Sequence, residues 1–99
     1  MVVKALKAKV AAKVKPRSTA FKVNLPQAKR VSLAGSFNNW DTGSLLGKKD
    51  LKGNWTIKVN LTPGTYEYKF FVDGNWITDP GTIAVTNSFG TQNSVIHVK

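Results

Sequence analysis

A chain of 99 residues has room for one hydrophobic core, and 41% hydrophobic with 20% charged residues is a globular balance. With no cysteine and a single histidine, His97, it offers no disulfide scaffold, thiolate site or multi-histidine metal cluster, and five acids provide little for a catalytic set. The net charge of +10 is lopsided, with nine Lys/Arg and no acid in residues 1–40 against six basic and five acidic residues in 41–99, so a polyanion partner concerns mainly the amino-terminal part.

Residues 1–17 alternate from Leu6 onward, with Leu6, Ala8, Val10, Ala12 and Val14 on one parity and Lys7, Lys9, Lys13, Lys15 and Arg17 on the other. This is strand periodicity with one lysine-lined face, either a solvated edge or a contact for an anionic partner. We expect a basic extension over 1–17 ahead of a domain over 18–99. No apolar run approaches the roughly 20 residues of a membrane span, and Lys4, Lys7, Lys9 and Lys13 break up any signal-peptide core. A soluble, cytoplasmic protein with no membrane partner is therefore expected.

From Thr19 the alternation sharpens: Phe21, Val23 and Leu25 oppose Lys22 and Asn24 until Pro26 stops the strand. Val31 and Leu33 repeat the pattern. Trp55, Ile57, Val59 and Leu61 form a third set against Asn54, Thr56, Lys58 and Asn60, and Thr62-Pro63-Gly64-Thr65 has tight-turn chemistry that predicts a hairpin. Its return strand sets Tyr66, Tyr68, Phe70 and Val72 against Thr65, Glu67, Lys69 and Phe71, ending at Asp73-Gly74, a strong hairpin signal. Ser94 to Val98 closes the chain as a last strand. Short strands at turn-punctuated intervals, with no clean helical spacing, predict an all-β antiparallel sandwich of about seven strands.

The acids are Asp41, Asp50, Glu67, Asp73 and Asp79. Asp73 precedes Gly, Asp79 precedes Pro and Asp41 lies in a Gly/Thr/Ser-rich loop, positions where a carboxylate caps backbone N–H groups. No glycosidase-type acid pair, phosphate loop or nucleophile motif is visible, so neither catalysis nor a cofactor is expected. The aromatic placement is more telling. Trp40, in Asn38-Asn39-Trp40-Asp41-Thr42-Gly43, and Trp76, in Asp73-Gly74-Asn75-Trp76, sit in polar loops outside every alternating set. Such a residue either plugs the end of a sandwich or offers its flat face to a ligand. Two among Asn, Thr and Gly suit a pyranose ring, which has one apolar C–H face and a rim of hydroxyls. Lys69 projects opposite the core residues Tyr68 and Phe70, where it is either solvated or a donor to sugar hydroxyls. Trp55 shares the parity of Ile57 and Val59 and is expected in the core.

The strings Gly35-Ser36-Phe37-Asn38-Asn39-Trp40, Pro63 to Gly74 (PGTYEYKFFVDG), Trp76-Ile77-Thr78-Asp79-Pro80 and Asn87 to Val95 (NSFGTQNSV) resemble carbohydrate-binding module family 48. That family includes the glycogen-binding domain of the AMP-activated protein kinase beta subunit and the amino-terminal domains of isoamylases and branching enzymes. The resemblance runs from Thr19 to Lys99. It implies an immunoglobulin-like β-sandwich that binds α-1,4-linked glucan, glycogen or starch without hydrolysing it. Position by position, it makes Trp40 and Trp76 stacking platforms, Lys69 and Asn93 polar contacts, Phe89 a brace where the kinase subunit has leucine, and Thr91 an assisting hydroxyl. Starch-binding module family 20, a more distant relative, has a second-site tryptophan near Trp55, which makes Trp55 a secondary candidate. The basic start is not part of the family pattern, and a free-standing module is implied.

Two other functions compete with glucan binding. A basic β-barrel could bind nucleic acid through aromatics and lysines, but the positive excess lies outside the region bearing Trp40 and Trp76, which disfavours it. A regulatory module could instead dock its basic edge on an acidic glucan-metabolising enzyme.

Overall fold

The computed structural model describes residues 16–99. Among the described residues eight strands follow one another: β1 (Arg17–Asn24), β2 (Val31–Gly35), β3 (Lys48–Lys49), β4 (Asn54–Leu61), β5 (Gly64–Val72), β6 (Asn75–Ile77), β7 (Ala84–Thr86) and β8 (Gln92–Val98). All pairings are antiparallel. One sheet has the order β1-β4-β3; the other has β2-β5-β8-β7, with β6 on the remaining half of β5. Among the described residues the chain is an all-β sandwich without a helix, as its alternation requires. The alternation expected over Leu6 to Val14 lies outside the described residues. Arg17 already belongs to β1, opposite Leu61.

The core is the meeting of the inward parities. Phe21 and Val23 of β1 and Trp55, Ile57 and Leu61 of β4 face Val31 and Leu33 of β2, Tyr68, Phe70 and Val72 of β5, and Val98 of β8. The Tyr68 ring meets Phe21 edge-on at 4.8 Å and Phe70 at 6.0 Å, geometries that suit aromatic quadrupoles. Tyr68 is 1% exposed, and its hydroxyl donates to Asp79 Oδ2 at 2.7 Å. At Gly35 a Cβ would come within 2.5 Å of the Glu67 carbonyl oxygen and 2.8 Å of the Phe37 ring, so this approach of β2 to β5 requires glycine.

One expectation is overturned. Thr62–Thr65 does not close a hairpin: β4 lies between β1 and β3, whereas β5 lies in the opposite sheet. The turn is an arch between layers. Ile57 and Leu61 must face Tyr68 and Phe70 across the core, which partners within one sheet would not do. The Asp73-Gly74 turn, by contrast, does join a hairpin, with Val72 opposite Asn75 and φ of 47° and 87° at the two turn residues. Both values are left-handed, as a type I′ turn demands. The segment after β2 closes the side of the sandwich: Leu46 bridges Ser32 in one sheet, and Lys48 and Lys49 then pair with β4 in the other.

Burial, and then the bond to Asp79, raise the Tyr68 phenol pKa well above its ordinary value near 10. The neutral phenol is favoured in the folded state, so its contribution is complete below about pH 10 and is lost as pH climbs toward the folded-state value. Tyr68→Phe should cost about 1.5–3 kcal/mol in neutral urea unfolding, as expected for a bond to a charged acceptor. The gap from wild type should narrow above about pH 10.

Candidate functional site

Strand β5 exposes its second parity, Glu67, Lys69 and Phe71, on the outside of the five-stranded sheet. The register continues this face onto neighbouring strands. Phe71 lies opposite Trp76 of β6, and their rings approach to 4.9 Å at 58°. Trp76 is 47% exposed, with Phe71 behind it. Its hairpin is also held from below, because the Asp73 carboxylate accepts the N–H groups of Lys29, at 3.1 Å, and Arg30, at 2.8 Å.

Trp40 reaches the same place from a loop. Asn39 and Trp40 adopt φ of 55° and 59°, and left-handed backbone at a non-glycine residue costs on the order of 1 kcal/mol or more. Asn38 holds the loop in that shape. Its Oδ1 accepts the Gly35 N–H at 2.9 Å, and its Nδ2 donates to the Asp41 carbonyl at 3.0 Å and to Ser44 Oγ at 3.1 Å. The Trp40 N–H donates to the Gly35 carbonyl at 3.0 Å. The half-buried Trp40 ring then meets Trp76 edge-on, with centroids 6.2 Å apart and planes at 70°.

Both indoles line a groove of about 840 Å³ together with Glu67, Lys69, Phe89, Thr91 and Asn93. Six of the seven site residues expected from the sequence are therefore brought together. Phe89, on the β7–β8 turn, is 90% exposed. Lys69 Nζ donates to Thr91 Oγ1 at 3.3 Å. Asn93 is only 6% exposed, its Nδ2 donating to Glu67 Oε1 at 3.0 Å and its Oδ1 accepting from Asn87 Nδ2 at 3.2 Å. Trp55 stands apart, and its secondary-site expectation is corrected: it is 6% exposed in the core, and its Nε1 donates to the Leu25 carbonyl at 2.9 Å. Its parity with Ile57 places it there.

Sequence reading missed four supporting residues: Asn38, Glu67, Phe71 and Asn87. Phe71 was detectable as an aromatic on the Lys69 parity, and Asn38 as the start of an Asn-Asn-Trp turn. Glu67 acts through Asn93, 26 residues on, which spacing does not reveal, whereas Asn87 serves the turn just after it, at Phe89 and Thr91. The aspartates serve the backbone. Asp41 accepts from Gly43 N at 2.9 Å, and Asp79 from Gly81 N at 2.9 Å. Asp50 accepts from Lys52 N at 2.8 Å and Asn54 N at 2.9 Å, and the bond from Asn54 leads in lowering its pKa.

Among the described residues no His/Cys/Asp/Glu group could hold a metal ion, and no helix is long and apolar enough to cross a membrane. The groove presents two aromatic faces set at an angle and a rim of mixed donors and acceptors, an arrangement suited to a neutral, polyhydroxylated ligand with apolar faces.

Residues 17–99 match the family described as the glycogen recognition site of AMP-activated protein kinase. The chain is 45% identical over 71 residues to 5'-AMP-activated protein kinase subunit beta-2 of Homo sapiens, covering 72% of this chain and 25% of that protein. It is 46% identical over 71 residues to subunit beta-1 of Bos taurus, again covering 72% and 25%. The chain thus spans about a quarter of the length of the curated relatives it matches. With its sandwich fold and the match over nearly all described residues, the chain belongs to this glycogen-recognition family of non-catalytic carbohydrate-binding modules.

Proposed function

We infer that the groove binds α-1,4-linked glucan, as glycogen, starch or maltooligosaccharide, without transforming it. The observation that carries this reading is the pair of indoles, 6.2 Å apart at 70° and reachable from one groove. Two flat platforms set at an angle suit successive glucose rings of a curving chain and fit a flat β-1,4 glucan poorly. Lys69 and Thr91 supply hydrogen bonds to hydroxyls, Asn93 contributes from its buried position, and Phe89 braces the sugar from the β7–β8 turn.

Stacking would bury about 100–200 Å² of apolar surface, worth roughly 3–5 kcal/mol at ~25 cal/mol/Å². Each hydroxyl bond adds about 1 kcal/mol because it replaces one to water. Micromolar to millimolar affinity for short oligosaccharides follows, with polymers retained more strongly through rebinding. In this reading the module works in the cytoplasm, with a basic extension ahead of β1. Its protein partner would be a kinase assembly of the kind named for its relatives, or a glucan-metabolising enzyme.

Trp76→Ala should reduce retention on amylose or glycogen by more than about tenfold. The far-ultraviolet circular dichroism should be unchanged, since Trp76 lies outside the core cluster. Undiminished retention would count against the platform. Binding of a neutral sugar should also be nearly independent of salt. Maltoheptaose affinity, read from the Trp40 and Trp76 indole NMR signals, should change less than about twofold between roughly 50 and 500 mM NaCl. A steep fall would favour a polyanionic ligand instead.

A further inference from the structure

The β7–β8 turn carries Phe89 and Thr91, and one side chain organises it. Asn87 Oδ1 accepts the backbone N–H of Phe89 at 3.0 Å and that of Thr91 at 3.1 Å. Backbone N–H groups only donate, so they fix which end of the amide faces the turn. The Nδ2 end must therefore face the groove. There it donates to Thr91 Oγ1 at 2.6 Å and to Asn93 Oδ1 at 3.2 Å. Both acceptor sites and both donor hydrogens of Asn87 are thus in use, leaving no capacity for a ligand.

The polarity set at Asn87 passes to its neighbours. Thr91 Oγ1 accepts from Asn87 Nδ2 and from Lys69 Nζ, neither of which can accept in return. With its oxygen so occupied, the hydroxyl has its own hydrogen left to offer a ligand in the groove it lines. Asn93 is held from both sides: its Oδ1 faces the Asn87 donor, and its Nδ2 faces the acceptor-only carboxylate of Glu67 at 3.0 Å. Its amide cannot flip without setting like ends against each other at both contacts.

We propose that Asn87, which lines the groove but has no hydrogen-bonding group left for a sugar, is a positioning residue of the glucan site that holds the Phe89 turn in place and fixes the direction of the hydrogen bonds offered by Thr91 and Asn93. Thr91 then meets the ligand as a donor, which selects a sugar oxygen able to accept at that point. The proposal rests on the glucan reading above.

Two substitutions separate the halves of the role. Asn87→Ala removes all four bonds, whereas Asn87→Asp keeps the acceptors for Phe89 and Thr91 N–H and replaces the donors toward Thr91 and Asn93 with a charged acceptor oxygen. In the free protein, amide-proton exchange with water at Phe89 and Thr91 should speed up about tenfold in Asn87→Ala and stay within about threefold of wild type in Asn87→Asp. Maltoheptaose affinity, measured by NMR titration, should nonetheless fall about tenfold in both variants. Wild-type affinity in Asn87→Asp, with binding intact in wild type, would overturn the donor role alone. Unchanged exchange in Asn87→Ala would overturn the holding role. If wild type itself gives no shifts with maltoheptaose, the glucan reading falls and takes this role with it.

Discussion

The register of β5 is the constraint on which the rest depends. One parity of this strand, Tyr68, Phe70 and Val72, builds the core, and the other, Glu67, Lys69 and Phe71, builds the groove. A slip of one residue would exchange the two sets, burying Lys69 and exposing Phe70. Three neighbours fix the strand against such a slip: β2 along its second half, β8 along its first half, and β6 opposite Phe70–Val72. The core therefore keeps the groove in register as well as keeping the chain folded.

The strands provide a floor, and short polar side chains shape what stands on it. Asn38 stabilises the left-handed turn that presents Trp40, Asp73 ties the Trp76 hairpin to the loop before β2, and Asn87 secures the turn that bears Phe89. In each case a short polar side chain captures backbone N–H groups that no strand partner can satisfy. The aromatic surfaces are thus set by polar clamps in the loops, with the Phe71 ring packed against Trp76.

Much of this was legible in the residues. Period-two alternation located β1, β4 and β5, because a half-buried strand must write its burial into its sequence. It also placed Trp55 inside, despite the second-site role suggested by a more distant family. Strands β3, β6 and β7 are two or three residues long, too short for alternation to register. The Thr62–Thr65 turn was misassigned because turn chemistry records how the chain reverses, and pairing is decided by the opposed apolar faces of the two strands. Local capping by Asp41 was readable from the Gly two residues on. Asp73 was not, since its carboxylate serves Lys29 and Arg30, more than 40 residues earlier. Asn93 shows the same limit: its place beside Lys69 came from family resemblance, whereas its near-complete burial and its two amide partners emerge only in three dimensions.

The three tryptophans fall into two environments, Trp55 in the core and Trp40 with Trp76 at the groove. Trp55, enclosed and bonded to a carbonyl, has the apolar surroundings that shift indole fluorescence toward the blue, while the half-exposed Trp76 has the wetter surroundings that shift it toward the red. Unfolding and occupation of the groove are therefore optically separable in the unlabelled protein, one at each edge of a single spectrum.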